Sequence, residues 1–344
     1  MLTVYGIEQS EKWDEIVRSF IGHDVYWLSG YVKAFQIHGD GEPMLLYYEG
    51  NGTRGINVVM KRDIAQDKHF ENTLPQGQYY DFASPYGYGG WIIEGQDVSE
   101  LDAEYQKYCK QNSIVSEFVR FHPMLQNQIA VESIYEVIPL GETVAMELQP
   151  EECIWENIIS KNRNVIRKAQ KNGVTIQHDL SKELLETFRG IYNATMDKDD
   201  AESYYYFGEK FYDSILTDLK DNAQLFYATL EDKIIAVAIM IFANGRMNYH
   251  LSGSVREYSS LAPSNLMLFE AAKWGSSQGF KTFYLGGGVG SGEDSLFKFK
   301  KAFFRGELHR FHIGRKIMIP DVYNILVEMR TDLPESGFFP KYRA

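Results

Sequence analysis

Gln224-Leu-Phe-Tyr-Ala-Thr-Leu-Glu-Asp-Lys-Ile-Ile-Ala-Val-Ala-Ile-Met-Ile-Phe242 reads as two apolar, β-branched-rich strands turning at Glu231-Asp232. A third strand is predicted over 246–252, a helix over about 263–278 and a short buried strand over 282–285. The first half of the chain repeats this order at low identity. Met44-Leu-Leu-Tyr-Tyr-Glu-Gly-Asn-Gly-Thr-Arg-Gly-Ile-Asn-Val-Val-Met-Lys61 reads as a hairpin around Gly-Asn-Gly. A loop, a helix over about 98–111 and a strand over 114–121 follow it. A helix feeding a strand beside an antiparallel meander predicts a mixed, largely antiparallel sheet with helices packed on it, an α/β (α+β) architecture.

We therefore expect a duplicated domain with its seam near residues 140–155: a first domain over 1–145, a second over 146–310, and a tail over 311–344 packing back on the first. No low-complexity linker separates the halves, which predicts a shared interface and a cleft, a common setting for ligands.

The 344 residues are 44% hydrophobic, ordinary for a globular protein of about two domains. The first residues lack a basic segment followed by an apolar one, and no apolar run approaches the ~20 residues that span a bilayer, so a cytoplasmic location without a transmembrane segment is expected. Cys109 and Cys153 are expected to be reduced packing residues. A net charge of −12 counts against nucleic acid as the main partner.

Within this acidic chain, Ser160-Lys-Asn-Arg-Asn-Val-Ile-Arg-Lys-Ala-Gln-Lys-Asn-Gly173 holds five cations and no acid. If one helix runs from 150 to 173, Glu151, Glu152 and Glu156 at its start and the cations toward Gly173 complement its dipole. The other reading is a platform for phosphate. Two aromatic groups are candidate ligand walls. Tyr80-Asp-Phe-Ala-Ser-Pro-Tyr-Gly-Tyr-Gly-Gly90 carries proline and three glycines and is not expected to form a central strand; it includes Tyr86 and Tyr88. Tyr204-Tyr-Tyr-Phe207 includes Tyr205.

Lys281-Thr-Phe-Tyr-Leu-Gly-Gly-Gly288 runs a strand into a triple glycine, and Ser295-Leu-Phe-Lys-Phe-Lys-Lys-Ala-Phe303 follows as a short helix. Glycines serve where the backbone turns sharply or something approaches closely. Helical spacing places Lys300 with Phe297 and Phe304, and Lys298, Lys301 and Arg305 on the other side. Either the Lys300 stem snorkels along apolar surface, or its ammonium points into a pocket to meet negative charge.

Other machinery finds no support. The glycines at 286–292 match neither a dinucleotide fingerprint nor a P-loop, no G-x-S-x-G elbow occurs, and His309-Arg-Phe-His312 alone is no metal signature, so no metal site is expected.

The run from Lys161 to Val174, Tyr192-Asn-Ala-Thr-Met, Tyr249-His-Leu-Ser-Gly-Ser, Ala262-Pro-Ser-Asn-Leu, Leu285-Gly-Gly-Gly and the Lys300 segment together resemble FemAB-like transferases of the GNAT superfamily. The resemblance covers most of residues 155–305, with weaker likeness at 26–33 and at Arg120-Phe-His-Pro123. It implies two tandem GNAT-like domains and transfer of an acyl or aminoacyl group to an amine, often on a peptidoglycan or surface-polysaccharide precursor. It also implies that Lys300, the lysine of an F-K-x-x-F motif, serves catalysis, and that Lys33, Arg163 and Arg167 meet phosphates of a nucleotide-linked acceptor.

The candidate catalytic residues are Lys300 and, as a neighbouring carboxylate, Glu293. The candidate substrate-binding residues are Lys33, Tyr86, Tyr88, Arg120, Arg163, Arg167, Tyr205, Tyr249, Asn265, Gly286, Gly287 and Gly288. Two departures matter. The long helical hairpin of some peptidoglycan-bridge enzymes is absent, and Glu257-Tyr-Ser-Ser-Leu-Ala-Pro-Ser stands where ordinary GNAT enzymes hold the pyrophosphate of acyl-CoA. Expected co-substrates are acyl-CoA as donor and a nucleotide-linked or lipid-linked sugar or peptide precursor as acceptor. Two alternatives stand beside this: an aminoacyl-tRNA-dependent transferase acting on a peptidoglycan precursor, disfavoured by the net charge, and a catalytically silent protein that binds a glycan precursor.

Overall fold

The computed structural model describes residues 1–290, 292–335 and 337–344. The chain forms two compact units, Met1–Leu140 with Phe311–Ala344, and Gly141–Arg310. Both are mixed α/β, with a mostly antiparallel sheet and packed helices. Among the described residues no helix is long and apolar enough to cross a membrane.

In the first unit the strands run in the order Leu2–Gly6, Glu42–Gly50, Thr53–Asp63, Tyr80–Ala83, Ile114–Arg120 and His309–Ile317, the last contributing from Phe311 onward, and Ile92–Glu94 pairs separately with Thr53–Asp63. Every pair is antiparallel except Tyr80–Ala83 with Ile114–Arg120. The helix Ser99–Gln111 makes the crossover such a parallel pair needs. It buries Leu101, Tyr105 and Cys109 in a core with Trp91, Phe121 and Tyr135. The hairpin turns through Asn51 and Gly52 at φ 49° and 74°, the left-handed pair that matches the twist of two-residue hairpins.

In the second unit the order is Glu136–Glu147, contributing from Gly141 onward, then Thr282–Gly286, Arg246–Ser254, Lys233–Ala243, Ala223–Leu230 and Thr175–Asp179. Again one pair is parallel, Arg246–Ser254 with Thr282–Gly286, joined by the helix Pro263–Ser277. Glu231 and Asp232 turn the hairpin at φ 47° and 66°. Leu266, Met267 and Ala271 pack beneath the sheet against Ile166 and Ala169 of the helix Ser160–Lys171.

Two expectations need correction. Tyr80–Ala83 is a strand with a partner on each side; the proline and glycines that argued against it begin only at Pro85. It is the first-unit counterpart of Arg246–Ser254, and with it the repeat becomes hairpin, third strand, helix, and a strand parallel to the third. Second, no single helix runs from 150 to 173. It breaks into Glu152–Asn157 and Ser160–Lys171, with Ile158 and Ile159 extended. The Ile159 amide donates to the carbonyl of Ala302 instead of continuing a helix. Glu151, Glu152 and Glu156 therefore do not stand at the start of the basic helix, whose first turn contains no acid.

Candidate functional site

The parallel ladder of the second unit is short: Arg246 opposes Thr282, Met247 opposes Phe283, Asn248 opposes Tyr284, and there it stops. Both strands break register at that level. On one side Tyr249 opposes Met240 and Leu251 opposes Ile239, so His250 is an extra, bulged residue. On the other, Tyr284 opposes Ala145 and Gly286 opposes Val144, skipping Leu285. Gly286 then takes φ +82°, a conformation that costs glycine nothing. A fork thus opens between Tyr249 and Gly286.

Lys300 reaches this fork from the helix Ser295–Lys301. Asp294 caps that helix, accepting from the amide of Phe297 at 2.8 Å, while Phe297, Phe303 and Phe304 bury its inner face. Lys300 shares that face and is only 9% exposed, whereas Lys298, Lys301 and Arg305 are exposed. Its Nζ donates to the carbonyl oxygen of Gly287 at 2.6 Å and lies 6.0 Å from the centre of the Tyr249 ring. The snorkel reading fails, because the ammonium is buried on the Gly287 carbonyl and does not reach solvent. Burial lowers its pKa from 10.5 to about 8, with the Asp294 carboxylate acting in the opposite direction. Among the described residues no carboxylate is within ion-pair distance, so one acceptor serves an ammonium with three N–H bonds.

The three glycines have distinct reasons. A Cβ at Gly286 would stand 3.3 Å from the Lys300 Nζ. Gly287 supplies the accepting carbonyl. A Cβ at Gly288 would fall 2.2 Å from Oδ2 of Asp294, the oxygen that accepts from Val289 at 2.6 Å and from Gly290 at 3.3 Å. These amides, with that of Phe297 foremost, hold the Asp294 carboxyl below its usual range. The Tyr249 hydroxyl donates to Ser252 at 2.6 Å. Burial pushes His250 down to about 3, so its imidazole is neutral.

Other candidates sit elsewhere. Glu293 is exposed and pairs with Lys301 at 3.3 Å on the outer side of the helix, so the structure does not bring it to the Lys300 ammonium. Asn265 donates to the buried Asn162 at 2.7 Å, and Asn162 donates to Ala302; together they tie the starts of the helices Pro263–Ser277 and Ser160–Lys171 to the end of the Lys300 helix. Asn265 thus has a positioning contact that the sequence did not suggest. Arg163 and Arg167 bond only within their own helix, to Ser160 and Asn164, with Arg167 5.0 Å over the Trp155 ring. Neither pairs with a carboxylate among the described residues, nor do Lys161, Lys168 and Lys171. Tyr205 is half-buried, edge-on to Tyr204 at 5.5 Å.

In the first unit Tyr86, Tyr88 and Arg120 share one cluster. Tyr26 packs edge-on against Tyr31 at 5.1 Å and Tyr88 at 5.3 Å. Tyr31 donates to the carbonyl of Tyr86 at 2.6 Å, and Tyr86 stacks on Phe35. Arg120 donates to the carbonyl of Gly87 at 2.9 Å with its guanidinium 4.8 Å over Phe311. Lys33 is half-buried on the helix Ser29–His38, which also carries Tyr31 and Phe35.

Residues 160–301 match the family model described as an acetyltransferase (GNAT) domain. Across the whole chain the fold is similar to the crystal structure of FemX, with TM-score 0.67, 15% identity, and coverage of 94% of this chain and 99% of that one. L-PGS from Bacillus licheniformis is similar at TM-score 0.58 and 15% identity, covering 89% and 91%. A conserved protein of unknown function from Bacteroides thetaiotaomicron is similar at TM-score 0.59 and 8% identity, covering 92% and 100%. No curated protein matches by sequence. The match over residues 160–301, which include Lys300, is thus to a GNAT domain, and the whole-chain likeness to FemX is one of fold.

Proposed function

We propose that this chain, whose residues 160–301 carry an acetyltransferase (GNAT) domain, is an N-acyltransferase that moves an acyl group from an activated donor to an amine on a cell-envelope or surface-polysaccharide precursor. The observation that carries this reading is the Lys300 ammonium, buried at the fork with one acceptor for its three N–H bonds. The amine nitrogen attacks the donor carbonyl carbon. A C–N bond forms, the C–S or C–O bond to the leaving group breaks, and the bonding pair departs with sulfur or oxygen. The proton released by the amine passes through water to the leaving group. Negative charge gathers on the carbonyl oxygen in between, and in this reading the spare N–H bonds of Lys300 meet it; a preorganised donor in a dry site lowers the barrier most where charge develops. Glu293, facing solvent on Lys301, gives no support to the idea of a base at that position.

Acyl-CoA is the donor in the first version of this reading. A second version, an aminoacyl-tRNA donor, is favoured by one observation: the helix Ser160–Lys171 presents five cations with no carboxylate partner among the described residues, and such a face suits phosphate oxygens. The precursor, nucleotide-linked or lipid-linked, follows from the family resemblance. The test is to incubate the full chain with acetyl-CoA or with a pool of charged tRNA, each beside UDP-linked amino sugars and UDP-linked muramoyl peptides, and to look for a new amide by mass. An acetyl increment supports the first version and an aminoacyl increment the second. Unchanged masses with both donors contradict transfer and leave a binding protein.

A further inference from the structure

The first unit has a half-open pocket of about 350 Å³ whose lining includes Arg62, Arg315 and Arg343 together with Phe118, Phe338 and Phe339. Two of the three guanidiniums are neutralised. Asp81, fully buried, accepts from Nε of Arg62 at 2.8 Å and from Nε of Arg343 at 2.6 Å, and Arg343 donates again to Asp67 at 2.9 Å. Two carboxylates thus offset two cations.

Arg315 has no such partner. It stands opposite Phe118 in the sheet, and its guanidinium carbon lies 5.7 Å from the centre of the Phe339 ring. One terminal nitrogen donates to the carbonyl of Gly337, while Nε is buried without an acceptor. No carboxylate reaches it among the described residues. A buried N–H left unmade is costly, and a guanidinium presents parallel N–H bonds that fit the paired oxygens of a carboxylate or phosphate. The phenylalanine walls around that single uncompensated charge suit an apolar or aromatic body, and the volume lies at the lower end of the range of small-molecule sites.

We infer that this pocket binds a small molecule with an aromatic or apolar body and one anionic group, carboxylate or phosphate, held by Arg315. The site lies wholly outside residues 160–301 and uses none of the residues assigned to transfer, so it stands or falls separately from the proposed activity.

The test is calorimetric titration of the full chain with benzoate, phenyl phosphate and neutral benzamide, repeated on Arg315→Met and on Phe338→Ala, whose side chain is 52% exposed in the parent and so tolerates truncation. We expect at least one anion to bind, benzamide to bind at least tenfold more weakly, and each substitution to weaken the anion at least tenfold with an unchanged circular dichroism spectrum. Preference between the two anions identifies the group recognised. If Arg315→Met does not fold, Arg315→Lys, which keeps the charge and removes Nε, takes its place. Failure of both anions to bind, benzamide binding as tightly, or unaltered affinity in either variant overturns the inference.

Discussion

The Nζ of Lys300 sits 2.6 Å from the carbonyl oxygen of Gly287, thirteen residues earlier in the chain, and donates to it from within the protein. This contact joins the turn after a buried strand to the inner face of a short helix. It orients an ammonium that burial otherwise penalises and whose Nζ lies 6.0 Å from the centre of the Tyr249 ring. In the proposed reaction the N–H bonds it leaves over are the ones that matter.

The low pKa of Lys300 makes a prediction about stability. Folding moves it from 10.5 to about 8, so between those pH values the unfolded chain binds more protons than the folded one, and stability rises with pH. Below about 8 the cost of the buried ammonium is fully present. Comparison with Lys300→Met cancels the other titrating groups. The stability of the parent relative to the variant should rise by about 3 kcal/mol from pH 8 to 10.5, at 1.36 kcal/mol per pKa unit, as read from urea midpoints. A flat difference would show that Lys300 is not charged and buried as described.

Gly288 and Asp294 should behave as one device. Asp294→Ala removes a helix cap and should lower the urea midpoint. Gly288→Ala places a Cβ 2.2 Å from the same carboxylate oxygen and should displace it at a similar or greater cost. In the double variant the clash disappears, so the combined loss should fall short of the sum. Strict additivity in chemical unfolding would refute the coupling.

Much of this was legible beforehand, and the exceptions have physical causes. The first hairpin was announced by Gly-Asn-Gly, residues that accept a left-handed turn, and the second by the charged Glu231-Asp232 between two apolar runs. Pro263 marked a helix start, and the inward position of Lys300 followed from its spacing to Phe297 and Phe304. Asp294, one residue before an apolar helix, is a cap signal that the sequence carries. The strand Tyr80–Ala83 was hidden because it is four residues long and ends beside a proline. Its central Asp81 is held by Arg343, a partner 262 positions away. The break at Ile158 and Ile159 has neither glycine nor proline to announce it. It depends on Ala302, which only the folded chain brings near. The bulge at His250 likewise has no local signature.

Arg163 and Arg167 are predicted to matter for binding and little for stability. Their hydrogen bonds stay within one helix, and the stacking on Trp155 is of the exposed kind, so Arg163→Gln with Arg167→Gln should cost less than about 1 kcal/mol. Affinity for phosphate-bearing ligands, probed with UDP-N-acetylglucosamine and with bulk tRNA, should fall. With tRNA, the slope of log affinity against log salt should become shallower by roughly 1 per lost contact. Unchanged affinity for both probes would remove this helix from the site.

The central claim is that acyl transfer runs through the ammonium of Lys300, and the most direct measurement is the transfer rate of Lys300→Met against the parent, with whichever donor and amine acceptor give a product, at pH 7 on proteins with the same circular dichroism spectrum. Loss of one oxyanion donor predicts a fall of about 10²–10³ in turnover. A variant that transfers at the parent rate contradicts the account.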